Sequence, residues 1–253
     1  MTFLKKYVLK VVAAIFCVLS LQPISANAQA DVVRFETNVG NFDLTLNPTG
    51  NPNLEPYVDN LLAYVNSGRY DNTLITRADE GFVIQWGLFQ ADATTTDELE
   101  AIGFSGLSRI EEFEPLIVDA DNDGQVDFDT SDLNNVAGTV SFALSALGPN
   151  SATSSIFVNL ADNSFLLDDL EFVPFAFIED LTTINAIANL QNEDLSEALN
   201  TTPGNLIVSD VPILGQNELV IVQRAFVVPE PATLVGLLTS LAVLASRRRG
   251  DKF

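Results

Sequence analysis

Between Asn41 and Leu46 apolar and polar residues alternate one for one, Phe42, Leu44 and Leu46 against Asp43 and Thr45. Successive side chains of a β-strand point to opposite faces, so this pattern buries one face and wets the other. Val32–Thr37 precedes it, and Asn38-Val39-Gly40-Asn41 supplies the polar, glycine-containing joint of a hairpin. Strand-like runs recur at Thr73–Ile75, Gly81–Gln85, Gly138–Leu144, Ile156–Leu160, Val173–Ile178 and Leu219–Val227. Two stretches change period. Residues 52–66 carry Val58, Leu61, Leu62 and Val65 at helical spacing, with Pro56 near the start and Gly68 just past the end. A second helix is predicted at Asp180–Leu190. Many short strands with two helices predict a mostly β fold, a closed antiparallel barrel capped by the two helices.

Charge narrows the partners. The 253 residues include 12 Lys plus Arg and 34 Asp plus Glu, a net charge of −22. Seven of the basic residues lie at the two ends (Lys5, Lys6, Lys10, Arg247, Arg248, Arg249 and Lys252). Residues 31–228 keep five basic residues against 32 acidic ones, a charge of −27. So negative a surface repels phosphate backbones, which excludes nucleic acid as a partner. Histidine is absent, Met1 is the only methionine and Cys17 the only cysteine. A Ser-His-Asp triad, His-ligated zinc, thiol catalysis and a disulfide framework are thereby ruled out.

The ends read as addresses. Lys5, Lys6 and Lys10 precede a short apolar run, Val11–Leu21, and Ala26-Asn27-Ala28 or Ala28-Gln29-Ala30 offers small residues for cleavage. Residues 1–30 are therefore read as a secretory signal. A run of eleven residues is too short to span about 30 Å of hydrocarbon. Cys17 follows Phe16, where lipid attachment would want a small residue, and is read as an ordinary signal-peptide residue. At the other end Val227-Val228-Pro229-Glu230-Pro231 leads into the apolar stretch Leu234–Ala245 and then Arg247-Arg248-Arg249. Residues 227–253 resemble the PEP-CTERM sorting tail of Gram-negative bacteria. That resemblance implies export to the periplasm, outer surface or extracellular matrix, transient membrane anchoring, and processing by an exosortase-type enzyme. A plain C-terminal anchor is the alternative, and it also places the domain outside the cytoplasm. What remains, about 31–226, suits one domain.

The order of the central segments resembles cyclophilin-type peptidyl-prolyl isomerases. The resemblance rests on Val33–Gly40 with Phe42, on Asn60-Leu61-Leu62 and Tyr64–Asp71, on Thr76-Arg77 and Gly81–Gln85, and on Gly138–Ala143, Gly148-Pro149-Asn150 and Phe157–Leu166. It implies rotation of X–Pro bonds in proline-containing peptides or proteins, without a cofactor. Arg77 stands where the family places its catalytic arginine. Phe82, Val83, Phe157 and Phe165 or Leu166 stand where it places the floor of the proline pocket. Gln85 stands at the polar residue that orients the arginine, and Ala143 where the backbone meets the peptide. The chemistry suits the composition, because a fixed guanidinium stabilises the twisted amide without proton transfer.

Several positions depart from the family pattern. Thr76 replaces a histidine, Trp86 and Leu88 alter a Gly-Gly-Asp run, and Leu144 replaces an asparagine. Ser155 and Phe172 stand where glutamine and histidine are expected, and Ser145-Ala146-Leu147 lengthens a loop. The arginine and the apolar floor persist while the polar rim is eroded. The rival reading is a catalytically weak or inactive module that holds proline-containing segments or extracellular polysaccharide at the cell surface.

One further motif stands apart. Asp119, Asp121, Asp123, Gln125 and Asp127 alternate along a loop with Gly124 at the sixth place, like the opening of an EF-hand calcium loop. The twelfth place holds Thr130 rather than glutamate, with Asp129 or Asp132 as substitutes. A structural calcium site and a solvated acidic insertion both fit this pattern. Asp92–Glu100 and Glu111–Glu114 read as charged surface.

Overall fold

The computed structural model describes residues 30–116, 131–148, 151–196 and 208–229. Residues 1–29 of the expected signal, the positions of the expected calcium loop (Asp119, Asp121, Asp123, Gln125 and Asp127), and the expected sorting tail from Glu230 onward lie outside the described residues.

The alternating segment forms the hairpin that its pattern predicts. β1 (Val32–Thr37) and β2 (Asn41–Leu46) pair antiparallel, with Val33 opposite Leu44 and Phe35 opposite Phe42. Val33, Phe35, Phe42, Leu44 and Leu46 face inward and are buried. Thr37 closes the turn, its backbone N–H donating to the Gly40 carbonyl at 2.9 Å and its hydroxyl to the same oxygen at 2.7 Å.

Six more strands complete the barrel: β3 (Thr73–Asp79), β4 (Val83–Ala91), β6 (Thr139–Phe142), β7 (Ile156–Asn159), β8 (Pro174–Phe177) and β12 (Ile221–Val227). Around the wall the order is β3-β12-β1-β2-β8-β6-β7-β4, and pairing of β4 with β3 closes the circle. The ladders are antiparallel, so this is the expected closed antiparallel barrel, with eight strands. Closure leaves no barrel edge unpaired. β5 (Leu107–Arg109) adds to the outer end of β4.

β3 and β4 run further than their apolar runs suggested, and Gly81 sits in the turn between them rather than in a strand. There the Phe82 N–H donates to the Asp79 carbonyl at 3.0 Å, and Gly81 takes a φ of +72°. Inside the barrel the rings of Phe35 and Phe42 stack at 5.4 Å, and Trp86 meets both edge-on at 5.6 and 5.4 Å. Phe142 stacks on Phe175 at 4.7 Å.

The helix Glu55–Asn66 covers one opening with Tyr57, Val58, Leu61, Tyr64 and Val65, and Thr182–Ala188 buries Ile184 and Ile187. Two helices beyond those expected are present, Thr96–Ile102 and Ser164–Leu167. The first corrects the reading of Asp92–Glu100 as charged surface alone. The Thr95 side chain accepts from the Glu98 N–H at 3.2 Å, and the Glu98 carboxylate accepts from the Thr94 N–H at 2.9 Å, a reciprocal cap. Its buried Leu99 joins Leu74, Phe89, Leu195, Val211 and Ile213 in a second apolar cluster. A small sheet lies over that cluster, with β10 (Val211–Leu214) between β9 (Gln191–Glu193) and β11 (Glu218–Leu219). β9 contains no apolar residue and β11 only two residues, so neither has a readable period.

Candidate functional site

The site is built on the outer face of β3 and β4. Ala78 and Ile84 point into the barrel and are fully buried, so Arg77, Asp79, Val83 and Gln85 lie on the opposite face. In the ladder Arg77 stands opposite Gln85, and Asp79 opposite Val83. Just before Arg77 the register shifts, because Ile75 pairs with Trp86 and leaves one extra residue on β3. A bulge of this kind twists its strand and re-aims the side chain beside it. The next strand brings Phe157 opposite Gln85, and Ala143 follows β6 with its N–H donating to the Ser155 carbonyl at 2.8 Å.

These residues enclose a cavity of about 240 Å³. Arg77, Phe82, Val83, Gln85, Ala143, Phe157 and Leu166, all singled out from sequence, line it. Leu144, Leu167, Leu170 and Phe172 complete the wall. The floor is Val83, Phe157 and Leu167, all buried, and the Phe172 ring meets Phe157 edge-on at 5.5 Å.

Phe165 is placed differently from the pocket position read for it. It is 78% exposed and does not border the cavity, whereas Leu167 is 5% exposed and does. Ser164–Leu167 is a single helical turn, so neighbouring positions face different ways, and sequence spacing alone left the inward one undecided.

Among the described residues Arg77 is the only basic one lining the cavity. Its Nη2 pairs with Asp79 Oδ2 at 2.7 Å, and its guanidinium carbon lies 5.3 Å from the centre of the Phe82 ring. Gln85 stands beside it in the ladder, but its Nε2 donates to Ser155 Oγ at 2.9 Å. The amide read as the partner of the arginine is thus turned toward Ser155, and Asp79 holds the guanidinium instead. Asp79 was not singled out from sequence; it sits two residues after Arg77, and only strand geometry puts the pair on one face.

A buried polar scaffold fixes the wall. Asn135 Nδ2 donates to Asp168 Oδ1 at 2.8 Å and to the Phe172 carbonyl at 2.7 Å. Its Oδ1 accepts from the Ser141 hydroxyl at 2.9 Å and from Asn159 Nδ2 at 3.1 Å. Asn163 Nδ2 donates to the Phe82 carbonyl at 2.9 Å and to Asn159 Oδ1 at 2.8 Å. This network joins Phe82, β6, β7 and the chain at Phe172 through satisfied buried groups.

The departures from the family pattern now have locations. Trp86 fills the barrel and not the cavity, being fully buried on the inward face. Gly87 after it takes a φ of +85°, and a Cβ there would lie 2.5 Å from Tyr70 Cε1, so only glycine fits beside the tryptophan. Thr76 is fully buried, its hydroxyl 3.4 Å from the Gln85 carbonyl. Leu144 and Phe172 line the cavity, so positions expected to be polar are apolar here. Among the described residues no group of three or more His, Cys, Asp or Glu is placed to hold a metal ion.

The comparisons with known proteins agree with this geometry. The family model for cyclophilin type peptidyl-prolyl cis-trans isomerases matches residues 32–209. Over 212 residues the chain is 28% identical to peptidyl-prolyl cis-trans isomerase A of Dickeya dadantii, covering 81% of this chain and 97% of that protein. It is 30% identical over 172 residues to a peptidyl-prolyl cis-trans isomerase of Acinetobacter baylyi, covering 66% of this chain and 77% of that one. A crystal structure of a cyclophilin type isomerase from Cryptosporidium parvum superposes with a TM-score of 0.50 at 19% identity, over 80% of this chain and 99% of that one. The last likeness concerns the fold alone. This chain belongs to the cyclophilin-type peptidyl-prolyl cis-trans isomerase family.

Proposed function

Starting from that membership, we propose that the protein is an exported isomerase that speeds rotation about X–Pro bonds in extracytoplasmic proteins. The observation that carries the reading is Arg77 at the wall of the apolar cavity floored by Val83, Phe157 and Leu167. Amide resonance opposes rotation with a barrier of roughly 18–20 kcal/mol, and the uncatalysed step takes about 10–100 s. As the bond twists, resonance is lost and the prolyl nitrogen regains its lone pair. The apolar floor grips the ring, and the guanidinium donates hydrogen bonds to the twisted amide. No proton changes owner, so the absence of histidine, and of any cysteine between residues 31 and 226, is no obstacle.

Export rests on the sequence of the two ends, which supports a cleaved signal and an exosortase-processed tail. Mature protein isolated from its host is expected to begin near Ala28–Asp31 and to lack Arg247–Arg249. Retention of those arginines would sink the sorting part.

Prolyl exchange measured by NMR on a short X–Pro peptide tests the activity, without a coupling protease. Acceleration by the wild type that disappears in Arg77→Ala supports the reading. A folded protein with no effect on several X–Pro peptides rejects it. A second reading, a module that holds proline segments without turning them over, draws on one observation. The polar groups beside the cavity are already engaged, Gln85 with Ser155 and Arg77 with Asp79. That reading expects peptide-induced shifts of cavity resonances with no gain in exchange rate.

A further inference from the structure

We infer that Asp79 is the positioning residue for Arg77, the task that Gln85 leaves undone; the inference rests on the isomerase reading above. A guanidinium acts on a twisting amide only if it is held where the charge redistributes. Arginine has a long stem with much rotamer freedom, and the amide of Gln85 is committed to Ser155 at 2.9 Å. Asp79 is anchored at both ends of this problem. Its carboxylate meets Arg77 Nη2 at 2.7 Å, a charge-assisted contact, and its carbonyl accepts the Phe82 N–H at 3.0 Å. One residue therefore ties the arginine to the turn that carries Phe82, whose ring lies 5.3 Å from the guanidinium carbon.

The same ion pair could instead act as a brake, with the carboxylate competing against the peptide for the arginine. Geometry argues against this. At Arg34 and Asp43 a true lock is seen, with Nε and Nη2 holding both carboxylate oxygens at 2.7 and 2.8 Å. The hydrogen bond between Arg77 and Asp79 uses Nη2 alone. A single contact orients a five-donor fork while leaving donors to spare for a peptide carbonyl.

The test compares purified wild type, Asp79→Ala, Asp79→Asn and Arg77→Ala by exchange NMR, with the Arg77 Nε–H signal as a readout independent of turnover. Asp79→Ala is expected to lower kcat about tenfold with KM nearly unchanged, and to broaden or lose the Arg77 signal. Asp79→Asn keeps an acceptor oxygen and should recover most of both. At 39% exposure Asp79 is peripheral to the core, so melting temperatures should stay close to wild type. An Asp79→Ala protein with wild-type or raised kcat would overturn the inference while leaving the isomerase reading intact. A wild type without activity, or Arg77→Ala with full activity, would overturn the isomerase reading and this inference with it.

Discussion

On the barrel side of β3 and β4, Ile75, Ala78, Ile84 and Trp86 are fully buried against the chain's own side chains, whereas on the outer side Arg77, Val83 and Gln85 border an open cavity of about 240 Å³. Both faces belong to the same two strands, and the alternation of side chains along them separates an apolar face from one that carries charge. Inside, the rings of Phe35, Phe42 and Trp86 fill the available space. Outside, the floor of Val83, Phe157 and Leu167 is apolar without being covered over, and a cation stands beside it. Stability and function are thus drawn from opposite faces of one ribbon, and mutations should separate them.

The largest effect should come from the inner face. Trp86→Ala is expected to cost about 3–5 kcal/mol in urea unfolding, because a large buried ring leaves a cavity. Activity per folded molecule should change little. Next comes Arg77→Ala on the outer face, expected to lower kcat by about 10²–10³-fold with the unfolding midpoint nearly unmoved. If each variant damaged both properties equally, the division between the faces would be wrong. Leu170→Ala, at the half-exposed rim, should raise KM several-fold and leave kcat near wild type.

The smallest effect lies away from both faces. Burial pushes the Glu112 carboxyl up, but hydrogen bonds from Arg109, Thr153 and Ser154 outweigh this and hold it below the usual carboxylate range. A carboxylate lowered on folding contributes stability that is complete above its unfolded pKa and is lost as the pH falls through the folded value. Glu112→Gln should therefore cost about 1 kcal/mol near neutral pH and progressively less below about pH 4. Glu112 also accepts from Thr153, linking the segment after β5 to the one before β7. The charged stretch Glu111–Glu114 is thus a strap as well as a surface: the Phe113 N–H donates to the Tyr64 hydroxyl at 2.8 Å, and Arg69 stacks over the Phe113 ring at 3.9 Å.

What could be read from sequence followed from how local each signal is. The hairpin of β1 and β2 was legible because alternation and turn residues lie within 15 positions, and Glu55–Asn66 because its apolar spacing repeats. β9 was not, since its three polar residues owe their strand to pairing with β10. Most of the cavity wall was visible because the motif around Arg77 and Phe82 is contiguous and the rest came in the expected order. Leu167 and Leu170 converge on it only through the short turn at Ser164–Leu167 and the loop after it. Asn135 reads as a loop residue, yet it is fully buried and bridges Asp168, Ser141 and Asn159 across 33 positions of chain. Long-range polar pairing of this kind has no period to detect. Trp86 stands out in sequence as a departure from a Gly-Gly-Asp run, but residue order does not say which face it occupies.

In the proposed function Arg77, beside the apolar cavity, drives rotation of X–Pro bonds. Two-dimensional exchange NMR on a short X–Pro peptide, with catalytic amounts of purified wild type or Arg77→Ala, tests it most directly. Cis–trans exchange peaks are expected to grow with wild-type protein and to fall to the uncatalysed level with Arg77→Ala. Exchange that stays at the uncatalysed rate with folded wild type, or that is equally fast with Arg77→Ala, would contradict it.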